Sequence, residues 1–269
     1  MTSLEVSKPV RVSRVAELLV WSRKNQTGLR ELPQDLLPRD LEEGYEIQAA
    51  VAALRQMVSA GFKIGLTSEA AQRAAGTAAP IAGRLGSQET RHGHSRVELP
   101  ANHLRVVEAE VVFEVGRDLP PGHAPYSEQH VAAHLSRAFA GIELCNTRFD
   151  DRWDPPLACV VADNSNADLL FVGEPLDLDV TAFSNLSVTL ERRGQPVVYG
   201  STNRVLGNPL RAVTWLANWL AQCGESLRRG QLISSGSCTG MTAAAPADVV
   251  EATFGNAARV SLELAVARA

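Results

Sequence analysis

Arg105-Val-Val-Glu-Ala-Glu-Val-Val-Phe-Glu-Val115 alternates without a break: Val107, Ala109, Val111, Phe113 and Val115 fall on one side, and Val106, Glu108, Glu110, Val112 and Glu114 on the other. A period of two marks a β-strand, because successive side chains point to opposite faces. One face is wholly apolar and predicts burial against a core. The other carries Glu108 and Glu110, whose carboxylates project side by side. Like charges that close repel, and solvent, a cationic side chain, a raised pKa on one partner or a bound cation must offset the repulsion. Val106 and Val112 flank the pair on the same side, which argues against a fully wet face.

The chain around this strand has 269 residues, 45% hydrophobic and 21% charged, the composition of an ordinary globular protein able to bury a full core. A net charge of -4 and a pI near 5.9, with no long basic run, remove the footprint of a phosphate-backbone binder. Nucleic acid is therefore not an expected partner. No apolar run is long enough to span a bilayer, and the first residues lack a charged region leading into an apolar one. Cys145, Cys159, Cys223 and Cys238 form neither a CxxC pair nor a dense framework, which predicts reduced thiols in a cytoplasmic protein.

Outward from the strand, Val10–Ser22 has helical spacing, and Asp40 with Glu43 reads as a capping box opening a second helix through Met57. Gly61-Phe-Lys-Ile-Gly-Leu-Thr67 predicts a short strand, followed by a helix capped at Thr67 or Ser68 and running to about Ala75. Ala78–Asn102, rich in Gly, Ala, Ser and His, predicts a loop or lid. Ser127 predicts a helix cap, with the helix reaching about Ala140 and Ile142-Glu143-Leu144 just after it. Strands are expected at 158–161, 169–172, 186–190, 197–199, 232–235 and 260–264. One helix interrupts them, with Asn208 at its cap, Pro209 at its first position and Gly224 beyond its end. The class is α+β: an N-terminal helical lobe over 1–75, part of the same unit, and a mainly β, mixed catalytic core over 76–269.

Glu143 supplies a third carboxylate, and three oxygen donors suit Mg²⁺ or Mn²⁺ better than zinc. Val107-Glu-Ala-Glu-Val-Val-Phe113 followed by Gly116-Arg-Asp-Leu-Pro120 resembles the metal-binding strand of the 2-keto-4-pentenoate hydratase and 4-oxalocrotonate decarboxylase group of the fumarylacetoacetate hydrolase superfamily. Gly61–Thr67, Gly141-Ile-Glu143, Val161-Ala-Asp-Asn-Ser165, Leu206-Gly-Asn-Pro-Leu210 with Trp215-Leu-Ala217, and Ser235-Gly-Ser237 agree in order and spacing. The resemblance implies a fumarylacetoacetate-hydrolase-like β core, with Mg²⁺ or Mn²⁺ on Glu108, Glu110 and Glu143 and Lys63 as the active-site lysine. It further implies Leu66, Asp163, Asn164, Ser165 and Ser237 at the substrate, a small 2-oxo acid. A homo-oligomer, associated in some cases with a related enzyme, also follows from it. By the residues alone, Lys63 is an ordinary strand lysine and 163–165 a self-capped turn.

The departures from the group's pattern are specific. Pro80-Ile81-Ala82-Gly83 lacks an acid that the group's hydratases carry, and Asp150-Asp-Arg-Trp-Asp-Pro-Pro156 holds an extra residue. The three carboxylates with Lys63 make hydration the leading expectation, while these departures support metal binding better than water addition and keep decarboxylation, isomerisation, C–C hydrolysis or a silent partner subunit as alternatives. His92-Gly-His94 reads as a loop, and His130 and His134 lack the glutamate of an HExxH site. Gly236-Ser-Cys-Thr-Gly240 is out of step with a GxSxG elbow.

Overall fold

A computed structural model describes residues 6–99, 106–150, 152–177, 179, 182–256 and 258–266. The chain opens with helices α1 (Lys8–Asn25) and α2 (Leu41–Leu54), strand β1 (Ser59–Gly65), helix α3 (Glu69–Ala74) and strands β2 (Ile81–Gly86), β3 (Thr90–His92), β4 (Ser95–Leu99) and β5 (Val106–Val115). Helix α4 (Glu128–Ala132), β6 (Leu135–Cys145), α5 (Leu157–Ala162), β7 (Ala167–Pro175), β8 (Ser187–Arg192) and β9 (Val198–Ser201) follow. The chain continues through α6 (Pro209–Gln222), β10 (Leu232–Ser237), β11 (Thr242–Ala243), β12 (Val249–Phe254) and β13 (Ala258–Val266).

The strands form two sheets. The larger runs β2-β1-β10-β5-β6-β7-β3, with β11 paired beside β5, and the smaller runs β4-β13-β12-β8-β9. Strand β5 lies at the middle of the larger sheet, and its two faces do different things. Val107, Ala109, Val111, Phe113 and Val115 are fully buried in one core with Val250, Ala252, Phe254, Leu262 and Leu264 of the second sheet and Leu216 and Leu220 of α6. The expected apolar face is thus what joins the sheets. On the opposite face Val112 packs in a small cluster with Leu85, Leu170, Val172 and Leu232. The helical segment has its own core, in which Val15 and Leu19 of α1 meet Ile47 and Val51 of α2 and Cys159 and Ala162 of α5. α2 and α5 approach closely, because a Cβ at Gly44 would stand 2.6 Å from the Ala158 carbonyl.

The caps follow their chemistry. The Asp40 side chain accepts from the Glu43 amide at 2.8 Å, and Asn208 accepts from the Leu210 amide at 2.9 Å. Glu43 does not close the reciprocal half of a capping box on Asp40; its carboxylate lies buried against the Arg11 guanidinium at 2.5 Å. α2 ends at Leu54, short of Met57.

Three expectations are corrected. The stretch 78–99 is not a loop or lid but carries β2, β3 and β4. Its glycines, which read as loop composition, answer to close packing: a Cβ at Gly83 would sit 2.5 Å from the Asn164 carbonyl. The apolar run 158–161 is helical and lies in α5, which Pro156 precedes as cap; a short apolar run does not by its own period separate helix from buried strand. The helix after Ser127 stops at Ala132, and residues from Leu135 pair with β5 along most of its length. There the ladder of hydrogen bonds to β5 overrides local helix propensity. Arg105 of the expected strand, 100–102 of the expected loop and Asp151 lie outside the described residues.

Candidate metal centre

The second face of β5 gathers the ionisable residues. Glu108 stands directly opposite Glu143 of β6 in antiparallel register, and Glu110 stands opposite Gly141. The opposite face of β10 is turned the same way, where Ser234 donates to Glu110 Oε2 at 2.6 Å and the Gly236 amide donates to the same oxygen at 2.9 Å. Gly236 has φ +114°, and a Cβ there would lie 2.2 Å from Thr67 Oγ1, so only glycine brings that amide to Glu110. Lys63, on β1, reaches into the same group: its Nζ is 3.3 Å from Glu143 Oε1 and donates to the Ser165 carbonyl at 3.1 Å. Four neighbouring strands, β1, β10, β5 and β6, therefore each contribute a side chain.

The charges do not balance. Lys63, Glu110 and Glu143 are buried, and Glu108 is half-buried, giving three carboxylates against one ammonium. Burial raises the Glu143 carboxyl to about 7, with the neighbouring Glu108 charge adding to the rise and Lys63 opposing it. Burial likewise pushes Glu110 well above the carboxylate range, reinforced by Glu143 and Glu108 against the pull of Lys63 and Ser234. Burial alone lowers the Lys63 pKa, but Glu143 and the other acids around it more than reverse this, and the group stays an ammonium. Neither Glu143 oxygen accepts a hydrogen bond of good geometry, although the residue is wholly buried. The Lys63 ammonium, 3.3 Å from Oε1, is one cation for three crowded carboxylates, and a second would offset the rest. Three carboxylates to one ammonium, held partly protonated where no cation is bound, are an all-oxygen donor set that fits a hard divalent ion.

The residues singled out at 163–165 have their polar atoms engaged within the protein. Asp163 accepts from the Arg148 guanidinium and, through Oδ2, from Thr147 at 3.0 Å and the Arg148 amide at 2.7 Å. Asn164 brackets Arg84 of β2, accepting from its amide at 2.7 Å and donating to its carbonyl at 2.9 Å. Ser165 donates to the Ala82 carbonyl at 2.8 Å. Asn164, Ser165 and Asn166 all have positive φ, so the turn clasps β2 while offering the Ser165 carbonyl to Lys63. Leu66 also has positive φ, 55°, directly after β1. Ser237 accepts from the Gly240 amide at 2.9 Å, and its backbone is in register with Glu110. Ile81 is buried opposite Gly65.

Residues that the sequence reading passed over complete the group. Ser234 and Gly236 hold Glu110, and Cys145 places its Sγ 3.5 Å from Glu108 Oε2. Burial and the carboxylates together push the Cys145 thiol well up. Its signal was present in the sequence: Cys145 is two residues from Glu143 on the same strand face, the spacing that singled out Glu108 and Glu110.

The fold is that of the fumarylacetoacetate hydrolase superfamily. No family model matches the chain. It is 31% identical to the TodF product hydratase of Pseudomonas putida strain F1, over 99% of this chain and 100% of that one. It is 30% identical to a 2-keto-4-pentenoate hydratase of Paraburkholderia xenovorans, over 95% of each. A solved structure of 4-oxalocrotonate decarboxylase from Pseudomonas putida G7, complexed with magnesium and adipate, superposes with a TM-score of 0.85 at 25% identity, covering 97% of this chain and 100% of that one. The chain belongs to the 2-keto-4-pentenoate hydratase family and is an enzyme of the hydro-lyase type.

Proposed function

We propose that Glu108, Glu110 and Glu143 hold Mg²⁺ or Mn²⁺ and that the enzyme hydrates a short 2-hydroxydienoate such as 2-hydroxypenta-2,4-dienoate. The observation that carries this is the buried excess of carboxylate, three acidic side chains on one sheet face with the single Lys63 ammonium among them. A divalent ion bound there supplies positive charge that stabilises the enolate of a 2-oxo acid. The protein's own groups do the rest. Lys63, kept as an ammonium by the acids around it, offers its Nζ protons to the substrate carboxylate or to the carbon skeleton as it ketonises. Water then adds to the conjugated alkene, giving 4-hydroxy-2-oxopentanoate from the five-carbon substrate. Asn164 and Ser165 support this by fixing β2 and holding Lys63 through the Ser165 carbonyl, and Asp163 by anchoring Arg148 beside them. Leu66 and Ser237, at the ends of β1 and β10, are proposed to flank the substrate.

The test is turnover by protein stripped with a chelator. Restored Mg²⁺ or Mn²⁺ is expected to bring back loss of the dienoate ultraviolet band, and Glu110→Ala to reduce it by more than about 100-fold. Protein that gains neither turnover nor stability on adding either ion sinks the proposal. Decarboxylation is the second reading, favoured by buried Ile81 where the group's hydratases carry an acid. Product mass separates the two: a gain of water against a loss of CO₂.

Among the described residues no helix is long and apolar enough to cross a membrane. A cytoplasmic setting is proposed because all four cysteines are free. A homo-oligomer, in some settings joined to a related enzyme, is proposed on the family resemblance.

A further inference from the structure

β2 is an edge of the larger sheet, and an edge strand leaves every second residue's amide and carbonyl without a strand partner. Side chains close that edge here. The Ala82 amide donates to the Tyr45 hydroxyl at 3.0 Å, and the Ala82 carbonyl accepts from Gln48 Nε2 at 3.0 Å and from Ser165 Oγ at 2.8 Å. Arg84, next along the edge, has both of its backbone groups on the Asn164 side chain. Two parts of the chain therefore cover one strand: α2, through Tyr45 and Gln48, and the turn at 163–165. Gln48 also joins them, because Nε2 donates at 3.0 Å to the carbonyl of Val161, near the end of α5 and just before the turn.

We infer that Gln48 is a positioning residue for the Lys63 ammonium, acting through the Ala82 carbonyl and the Ser165 turn. The turn needs holding. Asn164, Ser165 and Asn166 have φ of 59°, 52° and 60°, a left-handed run that residues other than glycine adopt singly rather than in succession. Such a conformation persists only where its surroundings fix it. In this conformation the Ser165 carbonyl accepts from Lys63 Nζ at 3.1 Å. The lysine stem is confined as well: a Cβ at Gly83 would stand 3.0 Å from Lys63 Cγ and 2.5 Å from the Asn164 carbonyl, so stem and turn both lie against the same bare backbone. Of the three N–H bonds of the ammonium, one goes to Ser165 and one faces Glu143 at 3.3 Å, which leaves the third for substrate. The direction of that third bond depends on where the Ser165 carbonyl sits. Gln48, Ser165 and Lys63 are all buried, so water does not replace a bond lost along the path. Gln48 is itself placed by its neighbours on α2, Ile47 and Val51, which lie in the helical core. The inference rests on the reading of Lys63 as the group that offers protons.

The chain has three lysines, Lys8, Lys24 and Lys63, and of these Lys63 alone is buried. In the full chain, labelled with ¹⁵N at lysine Nζ and stripped with chelator, one slowly exchanging ammonium signal is expected from Lys63. Gln48→Met should speed that exchange by about tenfold or more. Ser165→Ala cuts the same path one bond later, should act likewise, and serves if Gln48→Met does not fold. Ile47→Val loosens the same helix's core without touching the path and should leave the exchange within about twofold. With Mn²⁺ restored, both path variants should lower kcat on 2-hydroxypenta-2,4-dienoate by about 10- to 100-fold while KM and Mn²⁺ affinity stay within about threefold. Parent-like exchange in both path variants, exchange quickened as much by Ile47→Val, or no slow signal in the parent overturns the inference. So does an unchanged kcat in both path variants when Lys63→Ala is inactive. Undiminished turnover by Lys63→Ala sinks the reading of Lys63 and the inference with it. A parent that turns over no dienoate but gives the expected exchange pattern sinks the dienoate reading alone and supports the placing of Lys63 by Gln48.

Discussion

Replacing Glu143 with Gln removes a charge that the metal-free fold holds at a loss, and the variant is expected to be more stable than the parent at alkaline pH. The carboxyl is wholly buried, and burial together with Glu108 raises it from 4.5 to about 7 despite Lys63. The folded state therefore binds this proton more tightly than the unfolded chain does. Its stabilising contribution is full below pH 4.5, declines as pH rises, and is gone once pH passes about 7. At about 1.36 kcal/mol per pH unit the loss amounts to about 3 kcal/mol. Glutamine keeps the neutral form at every pH. Chelator-stripped Glu143→Gln should thus match the parent to within about 1 kcal/mol near pH 5 and exceed it by about 3 kcal/mol near pH 8. For a chain of this size that is a gap in Tm of about 6–12 °C, read by paired calorimetry in the presence of chelator. Adding Mg²⁺ or Mn²⁺ near pH 8 should raise the parent and leave the variant unmoved. A stripped variant less stable than the parent at alkaline pH, or a gap that does not change with pH, refutes the reasoning.

Two other perturbations bear on the supports of the site. Arg148→Met leaves Asp163 buried without its guanidinium and is expected to cost about 3–5 kcal/mol, read as a lower urea midpoint with an unchanged slope. Gly236→Ala drives a Cβ into Thr67 at a backbone conformation that favours glycine, and should cost about 1–3 kcal/mol. It should also weaken Mn²⁺ binding by displacing the amide from Glu110, and a variant with unaltered Mn²⁺ affinity contradicts that role.

What the sequence made legible was whatever a single strand or cap decides locally. β5 could be read because each of its residues reports its face by parity, and α6 because Asn208, Pro209 and Gly224 mark its ends. The approach of Lys63 to Glu143 was not legible by such means. It depends on β1 lying beside β10 and β10 beside β5, a crossing between residues far apart in the chain. Gly83 misled for the same reason, since its neighbour is the Asn164 carbonyl, eighty-one positions on by subtraction (164 − 83), and nothing local says so. The run 158–161 took its helical form from packing beside α2. Cys145 is legible only from its parity with Glu143 on one strand, since the spacing of the cysteines among themselves signals neither a disulfide framework nor a paired zinc motif.

The two-sided strand β5 has a consequence for how this gene can change. Substitutions at odd positions from Val107 to Val115 strike the seam between the sheets and should act on the amount of folded protein. Those at Glu108 and Glu110 should leave abundance nearly intact while altering chemistry. Selection for a new substrate or cation therefore has a narrow ledge to explore, every second residue along one strand, and each step onto it is flanked by neighbours that tolerate almost no change.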